Sequence, residues 1–353
     1  MKAVILCAGE GTRMRPLTYS QPKHLIPIAN RPVIEWIFDT ILSSGISDVA
    51  IVVSPGTESV FRGALGDGRR FGVDLTYIVQ NEPKGLAHAV ACAEGYAAGE
   101  PFLLYLGDNL FELGVRGLVE VFHGEDCSAA ISLVRVEDPR RFGVARLEEG
   151  RVTQLVEKPE RPPSNLAVAG AYVFDAHIFE AIGSIRPSAR GELEITDAIQ
   201  ALIDDRLPVL PHEVEGWWKD VGRPRDMLIA NELLVEQLEP SIIGSVDGDS
   251  VLEGKVTIGP ETVIERSTIV GPAVIGTGTR VQDATVGPNV SLGDGCVVEG
   301  CSIEHGILMD GASVRGVERV GWSILGREAE VRTDTTSAHV MLLMGDRCIA
   351  QLR

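Results

Sequence analysis

The sequence predicts an α/β domain on a mainly parallel sheet, followed by a parallel β-helix. Two observations carry this. Up to about Leu238, short aliphatic runs alternate with amphipathic segments; beyond Pro240, aliphatic residues recur every five or six positions. The expected domains are therefore 1–240 and 241–353.

The runs Lys2 to Leu6 (KAVIL), Val49 to Val53 (VAIVV), Leu75 to Val79 (LTYIV) and Phe102 to Leu106 (FLLYL) lack polar alternation. They read as strands buried on both faces. Between them, Pro32 to Ser43 and Leu86 to Tyr96 are amphipathic and read as helices. Strand alternating with helix implies a parallel sheet covered on both sides, with ligands beyond the carboxyl ends of its strands. A last helix is expected from Arg225 to Leu238, stopping before Pro240. After it come Ile258, Ile264, Val270, Ile275, Val281, Val286, Leu292, Val298, Ile303, Leu308, Val314, Val320, Leu325 and Val331, several followed directly by glycine. This is the hexapeptide period, whose repeats bury their aliphatic stack only when piled on one another.

Composition narrows the function. Of 353 residues, 44% are apolar, enough for a packed core, and the net charge of −18 opposes nucleic acid and anionic membranes. An anionic small substrate would need its own local Arg and Lys. No apolar run approaches membrane-spanning length, and charges interrupt the first apolar residues too early for a signal peptide. Cys7, Cys92, Cys127, Cys296, Cys301 and Cys348 are scattered, without metal spacing or a disulfide framework. Reduced thiols in a cytoplasmic protein are the expectation.

The first predicted strand runs into Cys7-Ala8-Gly9-Glu10-Gly11-Thr12-Arg13-Met14-Arg15-Pro16. Glycines there allow backbone N–H groups to approach phosphate oxygens. The loop lacks the dinucleotide fingerprint, since Met14 stands at the third glycine, and it has no Gly-Lys-Ser/Thr of a Walker loop. Arg13, Arg15 and Lys23 follow within an acidic chain, which suggests a triphosphate site.

Several segments resemble the sugar-nucleotidyltransferases in consistent order. They are Leu6 to Arg13 with Arg15-Pro16-Leu17-Thr18 and Pro22-Lys23; Gln80 to Ala89; Leu106-Gly107-Asp108-Asn109; Phe142-Gly143-Val144; Val156-Glu157-Lys158-Pro159; Arg190 to Asp197; and Trp218 to Gly222. Within that family the chain is most similar to the glucose-1-phosphate thymidylyltransferases in their long form. The resemblance implies a Rossmann-like nucleotidyltransferase domain and a left-handed β-helix with a C-terminal tail. It also implies transfer of a nucleotidyl group from dTTP to glucose 1-phosphate, releasing pyrophosphate.

The same resemblance implies the roles. Asp108 and Asp220 would hold a Mg²⁺ that bridges the two substrates' phosphates, a hard cation suited to carboxylate oxygen. Ala8, Gly9, Gly11, Thr12, Arg13 and Lys23 would take the nucleotide's phosphates, with Gln80 and Gly85 at the base. Lys158 and Arg190 would hold the sugar phosphate; Glu157, Asn109, Gly143 and Gly170 would surround the sugar. The sugar phosphate is already ionised at neutral pH, so no covalent nucleophile is needed.

Other readings stay open. UTP or GTP could replace dTTP, with glucose, N-acetylglucosamine or mannose 1-phosphate as acceptor. The β-helix could be an acyltransferase, although its only histidines, His305 and His339, show no partner in the sequence. A non-catalytic regulatory subunit would keep the fold, but Arg13, Lys23, Asp108, Lys158 and Asp220 are all present. Self-association into a homo-oligomer through the β-helix is expected, since stacked coils expose flat faces and open ends.

Overall fold

The computed structural model describes residues 1–333 and 339–352. It forms two compact units, Met1–Gly9 with Ile34–Asp220, and Glu10–Val33 with Val221–Arg353. This division departs from the boundary expected at residue 240. Hydrophobic texture changes at Pro240, whereas compactness follows packing. Both the Glu10–Val33 segment and the last long helix, Pro224–Gln237, go with the β-helix.

The first unit is built on a nine-stranded sheet. Strand Lys2–Leu6 pairs in parallel with Phe102–Leu106 on one side and Asp48–Val53 on the other, and Asp48–Val53 pairs in parallel with Asp74–Val79. These are the four aliphatic runs legible in the sequence. Ala3, Val4 and Ile5 are fully buried, as strands covered on both faces require. The sheet continues with antiparallel pairing: Leu166–Phe174 lies beside Phe102–Leu106 and also pairs with Ala129–Arg135 and Gly143–Glu148. The expected helix over 86–96 is two pieces, Leu86–Ala91 and Glu94–Ala97. They are separated where the Ala93 N–H bonds to the Val90 carbonyl, a tightened i→i−3 turn.

In the second unit the strands beyond residue 240 stack into three parallel sheets of seven, seven and six. Val256 pairs with Ala273, and Ala273 with Val290, so three short sides close each coil. Ile258, Ile264, Val281, Val286, Leu292, Val298, Ile303, Val314, Val320 and Leu325 are fully buried and form the internal stack that the hexapeptide period foretold. The stacked parallel strands agree with the expected left-handed β-helix. Pairing continues past Val331: Ile349–Leu352 adds to Glu330–Thr333, so residues 349–352 form a strand where a tail was expected.

Candidate active site

In the first unit, the N–H of Gly107 donates to the Leu6 carbonyl (3.0 Å), closing the end of the central strands just before Asp108. The chain then forms Asn109–Phe111, which pairs antiparallel with Trp218–Asp220. In that register Asp220 lies opposite Asn109, so Asp108 and Asp220, far apart in sequence, sit one residue out of step across paired strands. Asn109 is 3% exposed. The Trp218 indole Nε1 donates to its Oδ1 (2.7 Å), and its Nδ2 donates to Asp108 Oδ1 (2.9 Å). Trp218 therefore orients the amide that orients the carboxylate. Gly170, with φ +67°, backs this pair: a Cβ there would lie 2.6 Å from the Asn109 side chain.

Glu157 ends the strand Arg151–Glu157 and gathers the second cluster. Its Oε1 accepts from Lys158 Nζ (2.6 Å) and Arg190 Nη2 (3.1 Å), and its Oε2 from Thr196 Oγ1 (3.2 Å). Lys158 adopts φ +41°, a left-handed conformation, and its N–H donates to the Phe142 carbonyl (2.9 Å). Arg190 is held again by the buried Glu194, whose Oε1 accepts from Nη2 (2.7 Å), Nε (3.2 Å) and Ser188 Oγ (2.8 Å). A Cβ on Gly143 would lie 2.6 Å from Thr196. Burial, then the nearby Glu194 and Glu157, push the Asp197 carboxyl above the ordinary aspartate range.

Gln80 is 6% exposed, and its Nε2 faces the Gly85 carbonyl (3.2 Å) and His88 Nδ1 (3.0 Å). The amide nitrogen is thus engaged within the protein. Among the described residues its carbonyl oxygen has no partner. Gly85 has φ +108°, and a Cβ would fall 2.5 Å from the Leu193 carbonyl, so no larger residue fits. The Ala87 N–H donates to Leu193 O and the Leu193 N–H to Lys84 O, lashing this loop to the Arg190–Asp197 segment.

Of the predicted phosphate loop, Ala8 and Gly9 lie in the first unit; Gly11, Thr12, Arg13 and Lys23 lie in the second. At Gly9 an added Cβ would meet nothing within 4 Å and φ is not positive, so nothing in the fold itself calls for glycine there. Gly11 does need its freedom: φ is +63°, and its carbonyl accepts from Thr18 Oγ1 (2.9 Å) and the Met14 N–H (2.9 Å). Arg13 is exposed and has no hydrogen bond or ion pair among the described residues. Lys23 is half-buried in the turn Lys23–Leu25.

Each histidine of the β-helix has a carboxylate partner, contrary to the sequence reading. His305 Nδ1 pairs with Glu232 (2.6 Å) and its ring stacks on Trp322 at 4.5 Å; His339 pairs with Glu318 (3.1 Å). These partners lie on other elements, invisible to sequence spacing. None of the six cysteines is in a disulfide. Among the described residues no three potential metal ligands cluster, and no helix is long and apolar enough to cross a membrane.

Trp218, Glu194, Thr196 and His88 lie within the segments that carry the resemblance and Ser188 lies just outside one, but none of the five had an assigned role. Their work is to hold other side chains, and only the contacts reveal it.

Comparison with known proteins adds an independent line. The profile of the nucleotidyl transferase family matches residues 2–237. A glucose-1-phosphate thymidylyltransferase of Streptomyces antibioticus is 44% identical over 96% of this chain and 95% of its own length. One from Streptomyces griseus is 43% identical over 100% of this chain and 99% of its own. A solved structure, assigned to a glucose-1-phosphate thymidylyltransferase from Bacillus anthracis, superposes with a TM-score of 0.63 at 35% identity. It covers 69% of this chain and 98% of that one.

Proposed function

We propose that this chain, which belongs to the nucleotidyl transferase family, transfers the thymidylyl group of dTTP to glucose 1-phosphate. A phosphate oxygen of the sugar attacks the α-phosphorus in line, the bond to the β-phosphate breaks, and pyrophosphate leaves. The observation that supports the reading is the pairing of Asp220 with Asn109, the residue that follows Asp108 and whose amide bonds to it, which brings the two segments bearing these carboxylates together.

Family members generally use a divalent cation. Asp108 and Asp220 would hold Mg²⁺, which supplies charge stabilisation to phosphoryl oxygens when bound. Two carboxylates with no third potential ligand clustered beside them among the described residues suit an ion completed by substrate phosphates and water. Asn109 keeps Asp108 turned in one direction through its amide.

The remaining roles follow from charge and reach. Arg13, with no partner of its own among the described residues, and Lys23 neutralise the triphosphate and the departing pyrophosphate. Ala8, Gly9, Gly11 and Thr12 offer backbone to the phosphates. Lys158 and Arg190 bind the sugar phosphate and hold the attacking oxygen. Glu157, now bonded to both cations, accepts from sugar hydroxyls, and Gly143 and Gly170 bring backbone groups close to the ring. With its nitrogen already engaged, Gln80 presents a carbonyl oxygen to the imide N–H of thymine, and Gly85 leaves the base backbone access. The protein works in the cytoplasm and self-associates through the β-helix; a monomer by light scattering would overturn that second statement.

A panel of nucleotides against sugar 1-phosphates, read by pyrophosphate release, tests the reading. dTTP with glucose 1-phosphate is expected to be most efficient. UTP should be poorer by roughly ten- to two-hundred-fold, the range a single methyl contact allows, and GTP nearly inert. UTP or GTP outcompeting dTTP would overturn the thymidylyl assignment, and silence across the panel would overturn catalysis itself.

A further inference from the structure

The Glu10–Val33 segment carries two cations assigned above to the nucleotide, yet it packs within the β-helix unit. Its contacts reach several coils along one face. Near its end, Pro27–Ile28 and Arg31–Pro32 form a small hairpin whose two turn residues, Ala29 and Asn30, have φ of +49° and +59°. That is the left-handed pair a tight two-residue hairpin demands. At the tip, Asn30 Nδ2 donates to the Leu292 carbonyl (2.6 Å). Further back, the buried Gln21 Nε2 points at Met309 Sδ (3.8 Å). Pro16 lies against Gly345, where a Cβ would come within 3.3 Å of the Pro16 carbonyl. Leu292, Met309 and Gly345 all follow or end strands of one face of the β-helix, so the segment lies along that corner and touches three of its coils.

Asn231 pins this arrangement. It lies on the helix Pro224–Gln237 and is fully buried. Its Oδ1 accepts from the Ala29 N–H (2.9 Å) and from Ser291 Oγ (2.5 Å), and its Nδ2 donates to the Asn289 carbonyl (3.3 Å). One amide therefore satisfies the hairpin, the helix and a β-helix coil together. A buried side chain with all its polar atoms matched fixes geometry, because any shift leaves one of them unpaired.

We infer that the β-helix is a positioning element for nucleotide binding: Asn231 and Asn30 lock the loop that presents Arg13 and Lys23 to the triphosphate. The inference rests on the assignment of those two cations to the nucleotide. It gives the repeat domain a part in the reaction without chemistry of its own.

Steady-state kinetics of full-length variants tests it. Asn30→Gly keeps the positive-φ turn and removes only the bond to Leu292; it should raise the nucleotide KM about threefold. Asn231→Ala should raise it about tenfold or more. Both should leave the KM for glucose 1-phosphate within about twofold, a split that general loss of stability would not produce. In a Lys23→Ala background neither should add its full effect, since both act through the loop. Equal shifts for the two substrates, or full additivity with Lys23→Ala, would overturn the inference. Should Asn231→Ala fail to fold, Asn30→Gly decides alone. If Lys23→Ala by itself left the nucleotide KM unchanged, the assignment of Lys23 would be wrong and the inference would go with it.

Discussion

The two sets of cations proposed to meet the two substrates are held in opposite ways. Lys158 and Arg190 sit among carboxylates: Glu157 accepts from both, and Glu194 grips Arg190 through two of its nitrogens. Arg13 stands bare on a loop whose shape comes from Gly11, Thr18 and the β-helix corner. Counter-charges pre-orient the first set, so an incoming sugar phosphate must compete with Glu157 for the same donors. Backbone geometry pre-orients the second, leaving Arg13 its full charge for a polyanion. The teaching is that a strongly acidic chain can present cations either neutralised and exact in direction, or free and carried by a scaffold.

The comparison breaks first at the carboxylates that neither set can replace. Asp108→Asn and Asp220→Asn should each lower turnover by at least about 100-fold, because each removes a charged metal ligand from the proposed pair. Unchanged circular dichroism should accompany the loss. Near-normal turnover in both variants would remove the proposed metal site.

The two cation sets should then separate kinetically. Arg190→Ala should raise the KM for glucose 1-phosphate by about 10- to 100-fold, the worth of a hydrogen bond between charged groups, with little change for dTTP. Arg13→Ala should do the reverse. Glu194→Gln keeps an oxygen that can accept from Arg190 and Ser188, so its effect should lie in the same direction as Arg190→Ala and be only a few-fold. Identical defects towards both substrates in Arg190→Ala and Arg13→Ala would erase the distinction between the sets.

The smallest effect lies away from both. His177 Nδ1 pairs with Asp175 (2.8 Å), and that hydrogen bond, then the carboxylate's charge, raises the imidazole pKa. A raised pKa means the pair stabilises the fold fully below the unfolded-state value of about 6.5 and loses this as pH climbs through the higher folded value. The side chain is half exposed, so screening limits the contribution to about 0.5 kcal/mol. Thermal melts of His177→Ala should match the parent above that range and fall slightly below it at pH 5.5. A larger loss at pH 9 than at pH 5.5 would reverse the sign.

Much was legible in the sequence. Uninterrupted aliphatic runs can only be satisfied as strands covered on both faces, so the parallel core from Lys2 to Leu106 followed from hydrophobic pattern alone. The repeat from Ile258 to Val331 likewise follows from a period that buries nothing until coils stack. The family resemblance also singled out Asp108, Glu157, Lys158, Arg190 and Asp220 as candidate site residues. Tertiary structure decided the rest: that Asp220 lies opposite Asn109, that Trp218 holds Asn109 and Glu194 holds Arg190, and that residues 10–33 pack with the β-helix through Asn231. Local pattern reports how each segment buries its own apolar face. A hydrogen bond between Ala29 and Asn231 leaves no periodic trace, because its two partners meet only after both elements have folded.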